Sequence, residues 1–368
     1  MQPFTNTIQK EGFTVKIIHT SDLHLDSPLT TRLDSTKVRE RKSELLISFK
    51  SLTEGALACG ASAIIISGDL FDSERVGKRT LKNVVEIIGA APSISFYYLP
   101  GNHERDVLSA SGLPLPENLF IFGKEWTYFS LNGTNIIGRS ETAEDMFSEI
   151  KLKEDERNVI VLHGELRDRS DAEGAIGKRE LEALPIDYVA LGHYHSYSKT
   201  EISARCNAVY CGTPEPRGFD EAFECGYVEI SVGEHSVEHK FKKSAKRHFH
   251  IIEVDASEAD SDISLVYKIE KALAKIPKSD LVRIVLTGER ELGKTFNTDT
   301  LLSSIKGGYY YAEIKDTTKV RISADDFKND ISLKGEFIRG TLADGSLSDA
   351  EKEAIISLGL EVLFRSEG

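Results

Sequence analysis

Cysteine is scarce in this chain. Four of its 368 residues, Cys59, Cys206, Cys211 and Cys225, are cysteines, and no two stand at C-x-x-C spacing. That excludes a zinc ribbon and a redox dithiol. It leaves small apolar filler in a reducing compartment as their expected role. Long hydrophobic runs are missing too: none approaches the ~20 residues that a helix needs to span a bilayer. The opening stretch, residues 1–10, has neither a basic nor an apolar segment, so no secretory signal is expected there. These absences predict a cytoplasmic protein with no membrane partner. Positive charge is in deficit: 46 Lys and Arg against 59 Asp and Glu give a net charge of −13. The deficit weighs against nucleic acid, whose affinity comes mainly from neutralised phosphates. It does not forbid it, because two divalent cations bound at one site would reverse the sign locally.

What the chain does have is one ending, repeated five times. Val15 to Ser21 leads into Asp22-Leu23-His24, and Ala63 to Ser67 into Gly68-Asp69. Ile94 to Leu99 leads into Pro100-Gly101-Asn102-His103, Asn158 to Leu162 into His163-Gly164, and Tyr188 to Leu191 into Gly192-His193-Tyr194-His195. Each is a short strand-like run whose C-terminal side carries metal-binding residue types. In open α/β sheets, ligands collect beyond the carboxyl ends of the strands, so five such endings describe one site.

Seven residues are therefore candidate metal ligands: Asp22, His24, Asp69, Asn102, His163, His193 and His195. In-line hydrolysis of a phosphate ester needs a hydroxide on one face and charge neutralisation at the leaving oxygen. Two ions roughly 3.5–4 Å apart supply both. Asp69 is the expected bridge between them, since the glycine before it allows close backbone approach. A His, Asp and Asn donor set suits manganese, with iron or zinc as alternatives. His103, beside Asn102, is the expected general acid or transition-state stabiliser, and Glu104 is expected to orient it. Asp72 is read as a supporting or helix-start residue. His19, His235, His239, His248 and His250 read as structural.

The pattern predicts an amphipathic helix from Lys37 to Cys59 stopped by Gly60, strands at 63–67 and 94–99, and a helix near 78–88. From Asn118 onward short strands dominate, with hairpin turns at Asn132-Gly133 and Gly233-Glu234. The basic segment Lys240 to His248 marks a junction. Beyond it come a strand at 249–254, a helix near 262–275, a strand at 281–287, a helix near 298–304 and a strand at 308–314, then two or three helices. The expected organisation is a loose arm (1–13), a catalytic domain (14–243), a small α/β domain (247–324) and a helical segment (325–368). The expected fold class is α/β, with two packed sheets flanked by helices.

Asp22-x-His24, Gly68-Asp69-x-x-Asp72, Gly101-Asn102-His103-Glu104, His163-Gly164 and Gly192-His193-x-His195 together resemble the five motifs of the calcineurin-like metallophosphoesterases. Their order and spacing match over residues 14–240. The resemblance implies a two-sheet sandwich. It also implies one ion on Asp22, His24, Asp69 and His195, and a second on Asp69, Asn102, His163 and His193. His19 to Leu25 and Tyr210 to Glu221 are similar to the SbcD/YhaO-like group of DNA repair exonucleases. That narrower resemblance implies manganese-dependent cleavage of DNA, an α/β capping domain with C-terminal helices, and a coiled-coil SMC-type ATPase as partner. Glu104 stands where aspartate is frequent in the group. Arg217 is a candidate phosphate contact, and so are the basic clusters 37–42 and 75–82, with a structural turn and solvated helix faces as the equal alternatives.

The function expected is a metal-dependent phosphodiesterase, a DNA exonuclease or endonuclease of repair, with a homodimer possible. The alternatives are a phosphodiesterase or phosphatase for small nucleotides, and a non-catalytic metal-stabilised scaffold.

Overall fold

A computed structural model describes residues 14–366 apart from 30–31, 144, 171, 173, 235, 260, 292–293 and 322–326. The expected arm at 1–13 and His235 lie outside the described residues. The chain divides into two compact units at the Phe249–His250 junction.

The first unit runs β1 (Val15–Thr20), α1 (Ser35–Ala58), β2 (Ala63–Ser67), α2 (Lys78–Gly89), β3 (Ser95–Leu99), α3 (Val107–Ala110) and β4 (Leu119–Ile121). It continues with β5 (Thr127–Leu131), β6 (Thr134–Gly138), β7 (Arg157–His163), β8 (Glu165–Arg167), β9 (Ala175–Gly177) and α4 (Lys178–Glu182). Then come β10 (Tyr188–Gly192), β11 (Ser198–Ser203), β12 (Cys206–Tyr210), β13 (Gly226–Val232) and β14 (Val237–Lys243). Two six-stranded sheets result, ordered β14-β13-β1-β2-β3-β4 and β11-β12-β10-β7-β6-β5. The pairs β1–β2, β2–β3 and β3–β4 are parallel, as are β6–β7, β7–β10 and β10–β12. Hairpins add the antiparallel edges. Asn132 and Gly133, both at positive φ, make the β5–β6 turn.

The central strands read as unbroken apolar runs because both their faces are covered. Ile17, Ala63, Ile65 and Tyr97 face Val159, Val161, Tyr188 and Ala190 across the space between the sheets. Ile18, Ile64, Ile66 and Phe96 turn the other way, onto Leu45, Phe49 and Leu52 of α1 and Val84 and Ile88 of α2. Ile160, Leu162 and Val189 pack outward against Leu181 and Phe147. This is the α/β two-sheet sandwich with outer helices that the pattern predicted. Asp34 caps α1 by accepting from the amides of Thr36 (2.9 Å) and Lys37 (3.0 Å), so the helix starts two residues before the predicted Lys37. Gly60, at φ +71°, ends it.

The second unit holds β15 (Phe249–Asp255), α5 (Asp262–Leu273), β16 (Leu281–Thr287), β17 (Glu289–Arg290), α6 (Thr298–Ile305), β18 (Tyr311–Asp316) and β19 (Lys319–Val320). β15, β16 and β18 form one sheet with β16 and β18 parallel, covered by Leu265, Ile269 and Leu301. β18 starts later than predicted because Lys306–Gly308 forms a helical turn. Two helices follow, α7 (Leu333–Ala343) and α8 (Asp349–Ser366), around their own small core of Phe327, Ile338, Ile356 and Leu360. Among the described residues no helix is long and apolar enough to cross a membrane, and all four cysteines are free.

Candidate metal centre

β2 packs against both β7 and β10, and β3 against β7. The carboxyl ends of both sheets therefore open at the same edge, and the five ligand-bearing loops meet there. The loops after β1 and β2 are joined by their own main chains. Asp22 donates its amide to Gly68 O (3.1 Å), His24 to Asp69 O (2.9 Å) and Leu25 to Leu70 O (2.9 Å). Asp22 (φ +52°), His24 (φ +43°), Asp69 (φ +51°) and His193 (φ +110°) all sit in left-handed backbone conformations. Such strain persists only where the surroundings over-determine it, and it gathers at functional sites.

Glycines let the main chain come this close. A Cβ on Gly68 would lie 2.0 Å from His163 Nδ1, one on Gly101 2.1 Å from Asp69 Oδ1, and one on Gly192 2.0 Å from Ser67 O. Gly68 also adopts φ +100°, which excludes other residues on backbone grounds as well.

Asp22, His24 and His195 bring ligand atoms within 4.8 Å of one another, and so do Asp22, Asp69 and His163. Asp22 is common to both groups, a sharing that the sequence reading gave to Asp69 alone. Asp69 Oδ2 nevertheless reaches both sides, 3.5 Å from His24 Nε2 and 3.4 Å from His163 Nε2. Asn102 Oδ1 lies 2.8 Å from His163 Nε2. The His193 ring is 5.5 Å from that of His163, and the His193 amide donates to Asp22. All seven predicted ligands thus gather in one place.

The imidazoles share one orientation. His195 turns Nδ1 to Glu221 Oε1 (2.8 Å), His24 turns Nδ1 to Asp72 Oδ1 (3.2 Å) and His163 turns Nδ1 to Ser67 O (2.9 Å). For His195 and His163 these acceptors place the N–H on Nδ1 and leave a lone pair on Nε2, and Asp72 stands on the same side of His24. The lone pairs then face other acceptors: His24 Nε2 and His195 Nε2 are 3.2 Å apart, and His163 Nε2 points at Asn102 Oδ1 and Asp69 Oδ2. Acceptors turned on one another in a buried cluster need a cation between them, so the donor set fits divalent metal.

Without metal the imidazoles divide, His163 and His195 favouring the proton and His24 and His193 resisting it. Burial would lower the His163 imidazole, but the Asp69 carboxylate overrides it and lifts it to about 9. Burial would likewise raise Asp69, yet His163 holds it at about 2. Burial lowers His24 and His193. His195 is raised against the effect of burial by its hydrogen bond with Glu221.

His103 is exposed at the mouth, its ring 5.1 Å from that of His24 and its amide on Asp69 Oδ1. Glu104 corrects the expectation that it orients His103. Its oxygens accept the amides of Leu70 (2.8 Å) and Phe71 (2.6 Å), so it braces the Asp69 loop from below. Burial pushes its carboxyl to about 8. Asp72 supports His24, as expected. Arg217 is spent on Asp72 (3.0 Å) and Glu221 (2.7 Å), so the structural alternative holds for it. In the basic cluster 37–42, Arg41 is buried between Glu44 and Glu215 and makes no groove wall. His19 is structural, held by Tyr188 and Ser67. Glu221 was missed: it lies within the quoted 210–221 segment, but nothing in that stretch says it meets a histidine 26 residues away.

Residues 15–197 match the family model described as calcineurin-like phosphoesterase. The chain is 27% identical to the uncharacterized metallophosphoesterase YhaO of Bacillus subtilis, over 74% of this chain and 71% of that protein. It is 24% identical to the DNA double-strand break repair protein Mre11 of Methanosarcina acetivorans, over 90% of this chain and 56% of that protein. It is 27% identical to SbcD of the nuclease SbcCD of Escherichia coli K12, over 59% of this chain and 64% of that protein. The matches thus span less than two thirds of the length of these two, the Methanosarcina acetivorans Mre11 and the Escherichia coli SbcD.

Proposed function

Since residues 15–197 form a calcineurin-like phosphoesterase domain, we propose that this metallophosphoesterase hydrolyses phosphodiester bonds in DNA, as a nuclease of DNA repair working with two divalent metal ions. The observation that carries the reading is the set of inward-facing Nε2 atoms and carboxylates of Asp22, His24, Asp69, His163 and His195. Asp22, His24, Asp69 and His195 would hold one ion; Asp69, Asn102, His163 and His193 would hold the other. Manganese is the expected metal. Bound there, the ions would activate water and neutralise charge on the phosphate.

The chain's own residues do the rest. His103 is exposed at the mouth, where it gives a proton to the leaving oxygen. Glu104 keeps the Asp69 loop in place, Glu221 fixes the tautomer of His195, and Asp72 sets its charge beside His24. The similarity to Mre11 and to SbcD supports DNA as substrate. Residues 247–324 are read as a capping domain. Residues 325–368 are read as the docking segment for a coiled-coil SMC-type ATPase, with Ile355, Leu358 and Val362 exposed along α8. The reading places the protein in the cytoplasm.

One observation favours a small-nucleotide phosphodiesterase as the second reading. The cations lining the cleft of about 1190 Å³ above the site are already paired: Arg105 with Glu74 and Lys124 with Glu141. Incubation with manganese and end-labelled DNA, beside cyclic nucleotides and dinucleoside polyphosphates, tests both. Metal-dependent loss of label supports the nuclease. Turnover of a small nucleotide far above that of DNA replaces it with the second reading.

A further inference from the structure

Beside the metal cluster is a smaller recess of about 250 Å³, walled by His193, Tyr194, His195, Asp220 and Phe223. Its chief feature is Tyr194, a large aromatic ring left 41% exposed between two candidate ligands. The ring does not hang free. It leans on Tyr210 with centroids 4.8 Å apart and lies 5.4 Å from the His193 ring. Tyr210 is itself immobilised, donating to Gly164 O (2.8 Å) and accepting from the Leu166 amide (2.7 Å). The Tyr194 hydroxyl is hydrogen-bonded to Glu165 at the rim of the main cleft. An exposed ring held on two sides is a stacking platform whose ordering cost has been met in advance.

We propose that this recess is a nucleobase subsite, in which Tyr194 stacks the base next to the scissile phosphate and Asp220 accepts from its exocyclic amino group. The proposal rests on the phosphodiesterase reading above and deepens it. Base–aromatic stacking serves any base, because every base has a π-face. A carboxylate acceptor selects those carrying an amino donor, such as cytosine, over thymine. His193 and His195 line the same recess, so a base seated there keeps its phosphate beside the candidate ligands.

The test compares two esters with manganese and the full chain: deoxycytidine 5′-(p-nitrophenyl) phosphate and methyl p-nitrophenyl phosphate. Both release p-nitrophenolate, so only the other ester arm differs. The deoxycytidine ester is expected to be preferred. Y194A should lower the ratio of the two kcat/KM values roughly 5- to 150-fold, equivalent to about 1–3 kcal/mol of stacking. Y194F should restore it, since the ring remains. D220N should narrow the preference for the deoxycytidine ester over its thymidine counterpart. An unchanged ratio in Y194A, or a Y194F ratio as low as that of Y194A, overturns the subsite while leaving the phosphodiesterase intact. If wild type hydrolyses neither ester, the phosphodiesterase reading falls instead. Calorimetric titration with deoxycytidine 5′-monophosphate then decides the recess: binding lost in Y194A supports it, and no binding by wild type overturns it.

Discussion

Gly101→Ala tests the metal centre with a single methyl group. Gly101 is outside the left-handed region, so alanine meets no backbone barrier there. The added Cβ would lie 2.1 Å from Asp69 Oδ1 and 2.5 Å from the Asp69 amide nitrogen. The first is about 1.4 Å and the second about 1 Å short of even a close contact of ~3.5 Å. A side-chain rotation could relieve the first clash and not the second, because the amide belongs to the main chain that is tied to His24. The Asp69 loop must therefore shift by about 1 Å, and a displacement of that size at a reacting centre costs on the order of 100-fold in rate. Overpacking of this kind also costs about 1–3 kcal/mol of stability. Gly60→Ala is the matched control. Gly60 has φ +71° and open space around it, so alanine there carries backbone strain of about 1–2 kcal/mol and leaves the centre alone. Manganese titration calorimetry and hydrolysis of bis(p-nitrophenyl) phosphate on both variants separate site damage from general destabilisation. Wild-type manganese affinity and turnover in Gly101→Ala would refute the reasoning.

Four further outcomes are expected. His103→Ala should keep manganese affinity within about twofold and lose 100-fold or more of turnover on DNA, the scale of general acid catalysis; full activity removes His103 from the chemistry. In metal-free protein His163 is raised from 6.5 to about 9, so its stabilising contribution is complete below pH 6.5 and fades as pH climbs to about 9. The proton it loses frees Nε2 for metal, so the gap in Tm between manganese-loaded and metal-free protein should widen from pH 6.5 to 9, and a constant gap contradicts this. Arg41→Ala should destabilise the first unit by about 3–5 kcal/mol in urea melts, since it strands the buried carboxylates of Glu44 and Glu215; a loss under about 1 kcal/mol speaks against it. Glu221→Ala should weaken manganese binding about 10- to 100-fold by releasing His195, and calorimetry showing no change would remove it from the site.

The sandwich and the place where the candidate ligands gather were legible because the same physics wrote both. Strands buried on two faces appear as apolar runs, and Asp69 or His163 stands out where such a run stops. The partners that hold those ligands were not legible. Glu104 sits beside His103 in sequence, yet its carboxylate serves Leu70 and Phe71, 34 and 33 residues earlier. Arg41 lies in a run of charges that reads as a wet helix face, and only the distant Glu215 explains its burial. The short strands β8 and β9 carry three residues each, too few for any periodicity to register.

The glycines beneath the cluster have an evolutionary consequence. Where Gly68, Gly101 and Gly192 touch a neighbour's ring, carboxylate or carbonyl, no mutation has anywhere to put an atom. Diversification of what this chamber accepts is left to its lip, at residues such as Tyr194 and Asp220. Descendants of this chain can therefore change their diet without rebuilding their hearth.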